Sequence, residues 1–169
     1  MEKPPIVCVA GKSGAGKTTF LEKLIRELKN RKVRVGTIKH DAHGFDMNIP
    51  GKDTWRHAQA GANAVIISSP ARFALIKNVE EEMSLDRVAE LIPDMDIILV
   101  EGYKRSSRPK IEISRTAQSN ELICMSDDLI ALVSDAKWDI GIPLFDLDDS
   151  SGVSDLLMKK HDLPDRRKT

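Results

Sequence analysis

The sequence predicts an α/β domain in which a mainly parallel sheet lies between layers of helices, together with some antiparallel strands. Three observations indicate this fold class. Short apolar runs rich in β-branched residues alternate with segments of helical periodicity along the chain. The run DIILVEG at 96–102 is the most apolar of them, which is typical of a parallel strand covered on both faces. A glycine-rich loop, GKSGAGKT at 11–18, joins the first apolar run to the first helical segment.

The elements of the first half follow from apolar periodicity and turn residues. The predicted strands lie at 6–10, 32–40, 64–69 and 72–78, and the predicted helices lie at 18–32 and 54–62. Between them, the segment 41–53 is interrupted by glycine and proline and is predicted to be a loop, with Asp53 capping the helix that follows. A short Ser-Pro-Ala connection predicts that the last two of these strands pair antiparallel.

The second half continues the alternation of strands and helices. The predicted strands lie at 96–102, 110–114, 129–135 and 142–149, and the predicted helices lie at 84–92 and 153–161. The strand KIEIS at 110–114 alternates between polar and apolar residues, which predicts that one of its faces is exposed. We expect residues 1–162 to form a single domain and residues 163–169 to form a flexible tail.

Composition excludes several function classes. The 169 residues contain 26 Lys and Arg and 26 Asp and Glu, so no net charge favours nucleic acid or a membrane surface. No apolar run approaches the ~18 residues of a membrane span, and the first strand begins too early to leave room for a signal peptide. Cys8 and Cys124 lie in apolar runs and are expected to be buried thiols. Together these features predict a cytoplasmic protein without nucleic-acid or membrane partners.

The loop at 11–18 matches the phosphate-loop pattern G-x-x-x-x-G-K-[ST], with Gly11, Gly16, Lys17 and Thr18 at the defining positions. Glycines let several backbone N–H groups point into one cavity, and the helix that follows adds its positive N-terminal end. Lys17 is expected to reach the β- and γ-phosphates, and the Thr18 hydroxyl is expected to bind Mg²⁺. The sequence therefore predicts the three-layer architecture of phosphate-loop NTPases.

Acidic residues at two other strand ends are expected to complete this site, because ligands bind beyond the carboxyl ends of parallel strands. Glu101 closes the most apolar strand, where an acid contacts Mg²⁺ directly or through water. Asp41 follows the second strand and is the second candidate for the metal or for orienting a water. Lys17, Asp41 and Glu101 are thus the candidate catalytic residues, and Thr18, Asp41 and Glu101 are the candidate metal ligands.

Two acidic residues near the strand at 129–135 are candidates for reading the base of the nucleotide. SDAKWD at 134–139 places Lys137 and Asp139 at the spacing of the guanine-reading motif N-K-x-D, but Ala136 replaces its first residue. Asp135 lies nearer the strand end and is an equal candidate for accepting from the guanine N1–H and amino group.

Past Glu101, a basic stretch with Lys104, Arg105, Arg108 and Lys110 is either a solvated loop or an anion site on the ligand side.

Three segments together resemble the molybdopterin-guanine dinucleotide biosynthesis protein B (MobB) family. They are GKSGAGKTT at 11–19, GTIKHDAHGFDMNIPGKDTWRHAQAGA at 36–62 and DIILVEGYK at 96–104, and the likeness runs from about residue 5 to residue 160. The resemblance implies a homodimeric, GTP-binding adapter with weak GTPase activity. It also implies that this adapter works beside the molybdenum cofactor guanylyltransferase, which joins GMP to molybdopterin.

By position, the resemblance implies that the loop holds the phosphates of GTP together with Mg²⁺. The loop residues are Gly11, Lys12, Ser13, Gly14, Ala15, Gly16, Lys17, Thr18 and Thr19. Lys12 matches an extra lysine of the variant loop K-G-G-x-G-K-T, although Ser13 replaces its second glycine.

Two other functions compete with the adapter. A small-molecule kinase would use the same loop with a lid arginine, for which Arg105 and Arg108 are candidates. A GTPase that assists metal insertion would use His40 and His43, which flank Asp41.

Overall fold

The structure is a computed structural model that describes residues 3–103, 106–118, 121–124 and 126–168. Its backbone contacts divide the chain into two compact units. The larger unit comprises Met1–His40 and Leu85–Thr169, and the smaller unit comprises Asp41–Ser84. The single domain over 1–162 stays a prediction.

The described residues contain eight strands and four α-helices, which alternate from the first strand to the third. The strands are β1 (Ile6–Ala10), β2 (Val35–Lys39), β3 (Ala64–Ser69), β4 (Arg72–Lys77), β5 (Ile97–Glu101), β6 (Lys110–Ser114), β7 (Leu129–Ser134) and β8 (Leu144–Phe145). The helices are α1 (Lys17–Asn30), α2 (Asp53–Gln59), α3 (Leu85–Ala89) and α4 (Ser150–Lys160). Short 3₁₀ turns lie at Ser126–Asp128 and Arg166–Lys168. Within these residues, no helix is long and apolar enough to cross a bilayer.

The larger unit is built on a six-stranded sheet in the order β2-β5-β1-β6-β7-β8. All of its paired strands are parallel, so their carboxyl ends meet at one edge. The predicted α/β class with a mainly parallel sheet is confirmed, and the antiparallel strands are the separate β3–β4 pair. β1 lies in the interior of the sheet, between β5 and β6, and the glycine-rich loop leaves from its carboxyl end.

One face of the sheet is covered by α1 and α4. The helix α1 forms because apolar residues recur along one side of it, and all four of its buried side chains pack into a single core. These four residues are Phe20, Leu21, Leu24 and Leu28. The core also takes in every second residue of the central strands, such as Val7 and Val9 of β1.

The opposite face is divided between an apolar half and a polar half. α3 packs through Leu85 and Ala89 on residues of β1, β2 and β5. On β6, by contrast, the same face carries Lys110, Glu112 and Ser114, and all three are buried. The prediction that β6 has an exposed face is wrong, because β6 lies between β1 and β7 and loops cover its polar residues.

Several predicted boundaries shift for local reasons. α4 begins at Ser150 rather than at residue 153, because the Asp149 carboxylate accepts the N–H of Gly152 at 2.8 Å and caps the helix. Asp53 does not cap α2 but is its first residue. Cys8 is buried in β1, whereas Cys124 lies outside any strand and is only partly buried.

The C-terminal segment contacts the rest of the larger unit, and the flexibility of residues 163–169 stays a prediction. Leu163 is buried against the apolar core. The Arg166 guanidinium donates to Asp96 at 2.6 and 3.0 Å and to the Lys32 carbonyl at 2.9 Å. These contacts connect the segment to the larger unit through Arg166.

The smaller unit contains α2 and the antiparallel hairpin of β3 and β4. The hairpin register pairs Ile66 with Leu75 and Ser68 with Phe73, as the short Ser-Pro-Ala connection predicts. One face of the hairpin therefore carries Ile66, Phe73 and Leu75, which are 64%, 73% and 44% exposed.

Candidate functional site

The loop after β1 is shaped by glycines with positive φ. Gly11 has φ 145° and Gly16 has φ 92°, which are conformations that L-residues with side chains seldom adopt. A Cβ on Gly11 would lie 2.4 Å from the Ile113 carbonyl oxygen of the neighbouring strand, so that position has room for glycine only. The loop thus passes close to β6 before α1 begins at Lys17.

The Lys17 side chain turns back over this loop. Its Nζ donates to the Gly11 carbonyl at 3.1 Å and to the Lys12 carbonyl at 2.9 Å. The ammonium group therefore lies at the mouth of the loop, beside the N-terminus of a 14-residue helix. Both features place positive charge where the sequence predicts a phosphate.

Thr18 and Glu101 are brought together at the same edge of the sheet. β1 and β5 are neighbours in a register that pairs Val9 with Glu101, so Glu101 lies beside the start of the loop. The Thr18 hydroxyl lies 3.2 and 3.3 Å from the two carboxylate oxygens of Glu101. Mg²⁺ prefers such oxygen ligands and is held by one or two protein groups, with phosphate and water completing its shell. The donor set therefore fits Mg²⁺.

Asp41 is the first residue of the smaller unit, and its exposed carboxylate accepts the backbone N–H of His43 at 3.0 Å. The residue before it, His40, belongs to the larger unit, where its N–H donates to the Glu101 carbonyl at 2.9 Å. The His40 ring packs on Tyr103 with 4.4 Å between ring centroids. In the part of the chain that the structure describes, no three His, Cys, Asp or Glu side chains form a metal-binding group. The role of Asp41 stays a prediction.

The two candidate base-reading residues follow β7. The exposed Asp135 accepts the backbone N–H of Thr116 at 2.9 Å, which ties the ends of β7 and β6 together. Ser134 accepts from the Trp138 indole at 3.1 Å and thereby fixes the turn that leads to the exposed Asp139. β7 lies two strands from β1, which is about 10 Å at the usual strand spacing. Either carboxylate is thus at the right edge of the sheet for a base.

The two described residues of the basic stretch, Arg108 and Lys110, do not form a cluster on the ligand side. Lys104 and Arg105 lie outside the described residues. The Arg108 guanidinium pairs with Asp86, and Lys110 is buried against Asp128 at 2.8 Å. Because Arg108 precedes β6, it lies toward the amino edge of the sheet, away from the phosphate loop. The ligand-side placement of Arg108 is therefore wrong.

Sequence reasoning missed the segment after β6, which lies against the phosphate loop. Lys12 pairs with Glu121 at 3.8 Å. A Cβ on Gly14 would lie 3.4 Å from the Gln118 amide nitrogen, and a Cβ on Gly16 would lie 3.3 Å from the Arg115 guanidinium. The rule that identified Glu101 considered only acidic residues at strand ends. Extended to any polar residue at or just past a strand end, it would have included Arg115 as a candidate, but only the strand order shows that β6 lies beside β1. The fold and this site together define a phosphate-loop protein of the α/β class.

Comparison with known proteins then gives the family. The family model for "Molybdopterin guanine dinucleotide synthesis protein B" (MobB) matches residues 6–135. The chain therefore belongs to the MobB family, as its three motif segments predict.

Relatives from several bacteria support this assignment. The chain is 36% identical over 161 residues to a molybdopterin-guanine dinucleotide biosynthesis adapter protein of Escherichia coli, covering 92% of each chain. It is 34% identical over 155 residues to the protein of that name in Haemophilus influenzae, covering 90% of this chain and 87% of the relative. The crystal structure of Bacillus subtilis MobB matches with a TM-score of 0.72 at 28% identity, covering 95% of this chain and 98% of that one.

Proposed function

We propose that this protein is an adapter in molybdopterin-guanine dinucleotide biosynthesis that binds GTP with Mg²⁺ at its phosphate loop. The observation that carries the proposal is the meeting of Lys17, Thr18 and Glu101 at one edge of the sheet, in a chain of the MobB family. Relatives that share more than a third of its sequence are named as adapters of this biosynthesis.

Each residue of the loop region has a distinct part in binding. The backbone N–H groups of residues 11–19 surround the phosphates, and the Lys17 ammonium exchanges its two carbonyl partners for phosphate oxygens. Thr18 and Glu101 hold Mg²⁺, which neutralises phosphate charge when bound. Asp41 orients a water or adds an oxygen ligand. Hydrolysis is weak, and presentation of the bound nucleotide to the partner is the main function.

Asp135 or Asp139 reads the guanine base. A carboxylate accepts from both the N1–H and the amino group of guanine, whereas adenine offers no such pair of donors. One carboxylate oxygen of Asp135 accepts the backbone N–H of Thr116, and the second oxygen is the acceptor for the base. This arrangement supports GTP over ATP.

The partner is the molybdenum cofactor guanylyltransferase, and the phosphate of molybdopterin is a further ligand.

The protein acts as a homodimer. The hairpin face of Ile66, Phe73 and Leu75 is the candidate interface, since three exposed apolar side chains side by side favour association. Sedimentation of the wild type and of Phe73→Asp tests this surface. Equal molar mass in both would reject the hairpin as the interface.

Calorimetric titration with GTP and with ATP, each with Mg²⁺, tests the nucleotide. We expect a clear preference for GTP, and a loss of most affinity in Lys17→Ala without loss of the fold. Glu101→Ala should weaken the Mg²⁺ dependence of binding, and equal dependence in wild type and variant would remove Glu101 from the site. A preference for ATP would instead favour a small-molecule kinase, and unchanged affinity in Lys17→Ala would reject the phosphate loop as the binding site.

A further inference from the structure

We propose that Arg115 is a phosphate-binding residue that donates two hydrogen bonds to the terminal phosphates of the bound nucleotide. The inference rests on the proposed function, because it adds a second cation to the same phosphate site. Arg115 follows the last residue of β6, and β6 is the strand next to β1. It therefore reaches the phosphate loop from the side opposite Glu101, which ends β5.

The orientation of the guanidinium group supports a phosphate ligand. A Cβ on Gly16 would lie 3.3 Å from Nε, 3.3 Å from Nη2 and 3.6 Å from Cζ of Arg115. Because the two nitrogens are equally near and the carbon is farther, the edge that carries both N–H groups faces the loop. This is the edge with which arginine binds phosphate or carboxylate in a bidentate manner.

Among the residues that the structure describes, none places an acceptor on that edge. In the described residues the Arg115 guanidinium makes no hydrogen bond and no ion pair. Asp148 is near enough for Arg115 to contribute to lowering its pKa, but that carboxylate bonds to Lys23. Two parallel donors thus face a glycine-lined loop whose own charged residues, Lys12 and Lys17, are also cations.

The backbone around Arg115 is fixed on both sides, which sets the point from which its side chain reaches the phosphate loop. Ser114 is buried and pairs in register with Ser134 of β7. Thr116 donates its N–H to Asp135 at 2.9 Å. Because the backbone on both sides of Arg115 is already fixed, binding has to order the side chain alone.

The test compares GTP, GDP and GMP binding in the wild type, Arg115→Ala and Arg115→Lys, by calorimetry with Mg²⁺. Arg26→Ala is the matched control, since Arg26 is an exposed arginine on α1 that pairs with Glu22. We expect Arg115→Ala to weaken GTP binding by about tenfold to a hundredfold, as for loss of charge-assisted hydrogen bonds. GMP binding should stay within about twofold of the wild type, since GMP lacks the terminal phosphates.

Arg115→Lys should lie between the wild type and Arg115→Ala, because lysine keeps the charge and loses the bidentate edge. If Arg115→Ala binds GTP as tightly as the wild type while Lys17→Ala loses most of its affinity, the role of Arg115 is overturned and the proposed function stands. Equal losses for GTP and GMP would also overturn it, since they indicate a general structural effect. Unchanged binding in Lys17→Ala would overturn both.

Discussion

The two faces of the larger unit's sheet hold the fold together by different means. Toward α1 and α4, alternate residues of the central strands form one apolar core. On the other face, β6 presents Lys110 and Glu112 to the interior, and loops rather than a helix cover them. The apolar face gains stability from area removed from water. The part of the other face around β6, called the polar face below, lies beside the apolar half under α3 and depends on specific hydrogen bonds to the buried Lys110 and Glu112.

The polar face also organises the site. The Glu112 carboxylate accepts the N–H groups of Ile123 and Cys124 at 2.8 and 2.9 Å, which anchors the end of the segment that begins at Arg115. Lys110 connects Asp128 to the Arg108 carbonyl at 3.3 Å and to the Ser106 carbonyl. Buried charges near a binding edge therefore act as anchors for loops, while packing supplies most of the stability.

The largest effect should come from a cavity on the apolar face. Leu24 of α1 is fully buried, so Leu24→Ala should lower the free energy of unfolding by about 4 kcal/mol. Urea unfolding followed by circular dichroism measures this loss. A loss below about 2 kcal/mol would contradict a close-packed apolar face.

The second effect concerns the anchor on the polar face. Glu112→Ala leaves two backbone N–H groups without an acceptor, so it should lower the free energy of unfolding by about 3 kcal/mol. Glu112→Gln keeps an acceptor oxygen and should lose about half as much. The matched control is Glu22→Ala on the exposed side of α1, which should change stability by less than about 0.5 kcal/mol. Equal stability of Glu112→Ala and Glu22→Ala would show that the anchor contributes nothing.

The sequence predicts the apolar face and half of the site, because both depend on local signals. Apolar spacing predicts α1, and the phosphate-loop pattern with the strand-end rule identifies Lys17, Thr18 and Glu101. Arg115 and the burial of Glu112 depend on strand order, since β6 becomes a central strand only when it pairs with both β1 and β7. An alternating strand is ordinarily taken to face water on its polar side, and nothing in KIEIS contradicts that.

The third effect concerns the contact between the Glu112 carboxylate and the Cys124 thiol. Burial, followed by the hydrogen bond and charge of Glu112, raises the pKa of Cys124 to about 12. The thiolate is the reactive form, so Cys124 should react slowly with iodoacetamide at pH 8. Glu112→Gln removes the charge and should speed the reaction about tenfold for each unit by which the pKa falls.

Mass spectrometry of the labelled peptides measures this rate, and Cys8 is the internal control. Burial also raises the pKa of Cys8, but Glu112 is not among the groups that shift it. Equal rates for Cys124 in the wild type and in Glu112→Gln would contradict the contact. Faster labelling of both thiols would indicate general loosening of the fold.

The smallest effect concerns Asp96, which lies at the amino edge of the sheet. Its carboxylate is buried, but Arg34 and Arg166, which pair with it, are exposed. Burial alone would raise the pKa of Asp96, but hydrogen bonds from Arg166 and Arg34 outweigh it and hold the pKa below its ordinary value of 3.8. As the pH falls, the unfolded chain therefore binds a proton at this group before the folded protein does. The stability from Asp96 is present above about pH 4 and is lost at lower pH. Asp96→Asn should lower the free energy of unfolding by about 1 kcal/mol at pH 7, and the difference from the wild type should narrow progressively as the pH falls below about 4. Urea unfolding at several pH values measures the gap between the two proteins, and a gap that stays constant down to pH 2 would mean that packing around Asp96, rather than its charge, fixes the C-terminal segment.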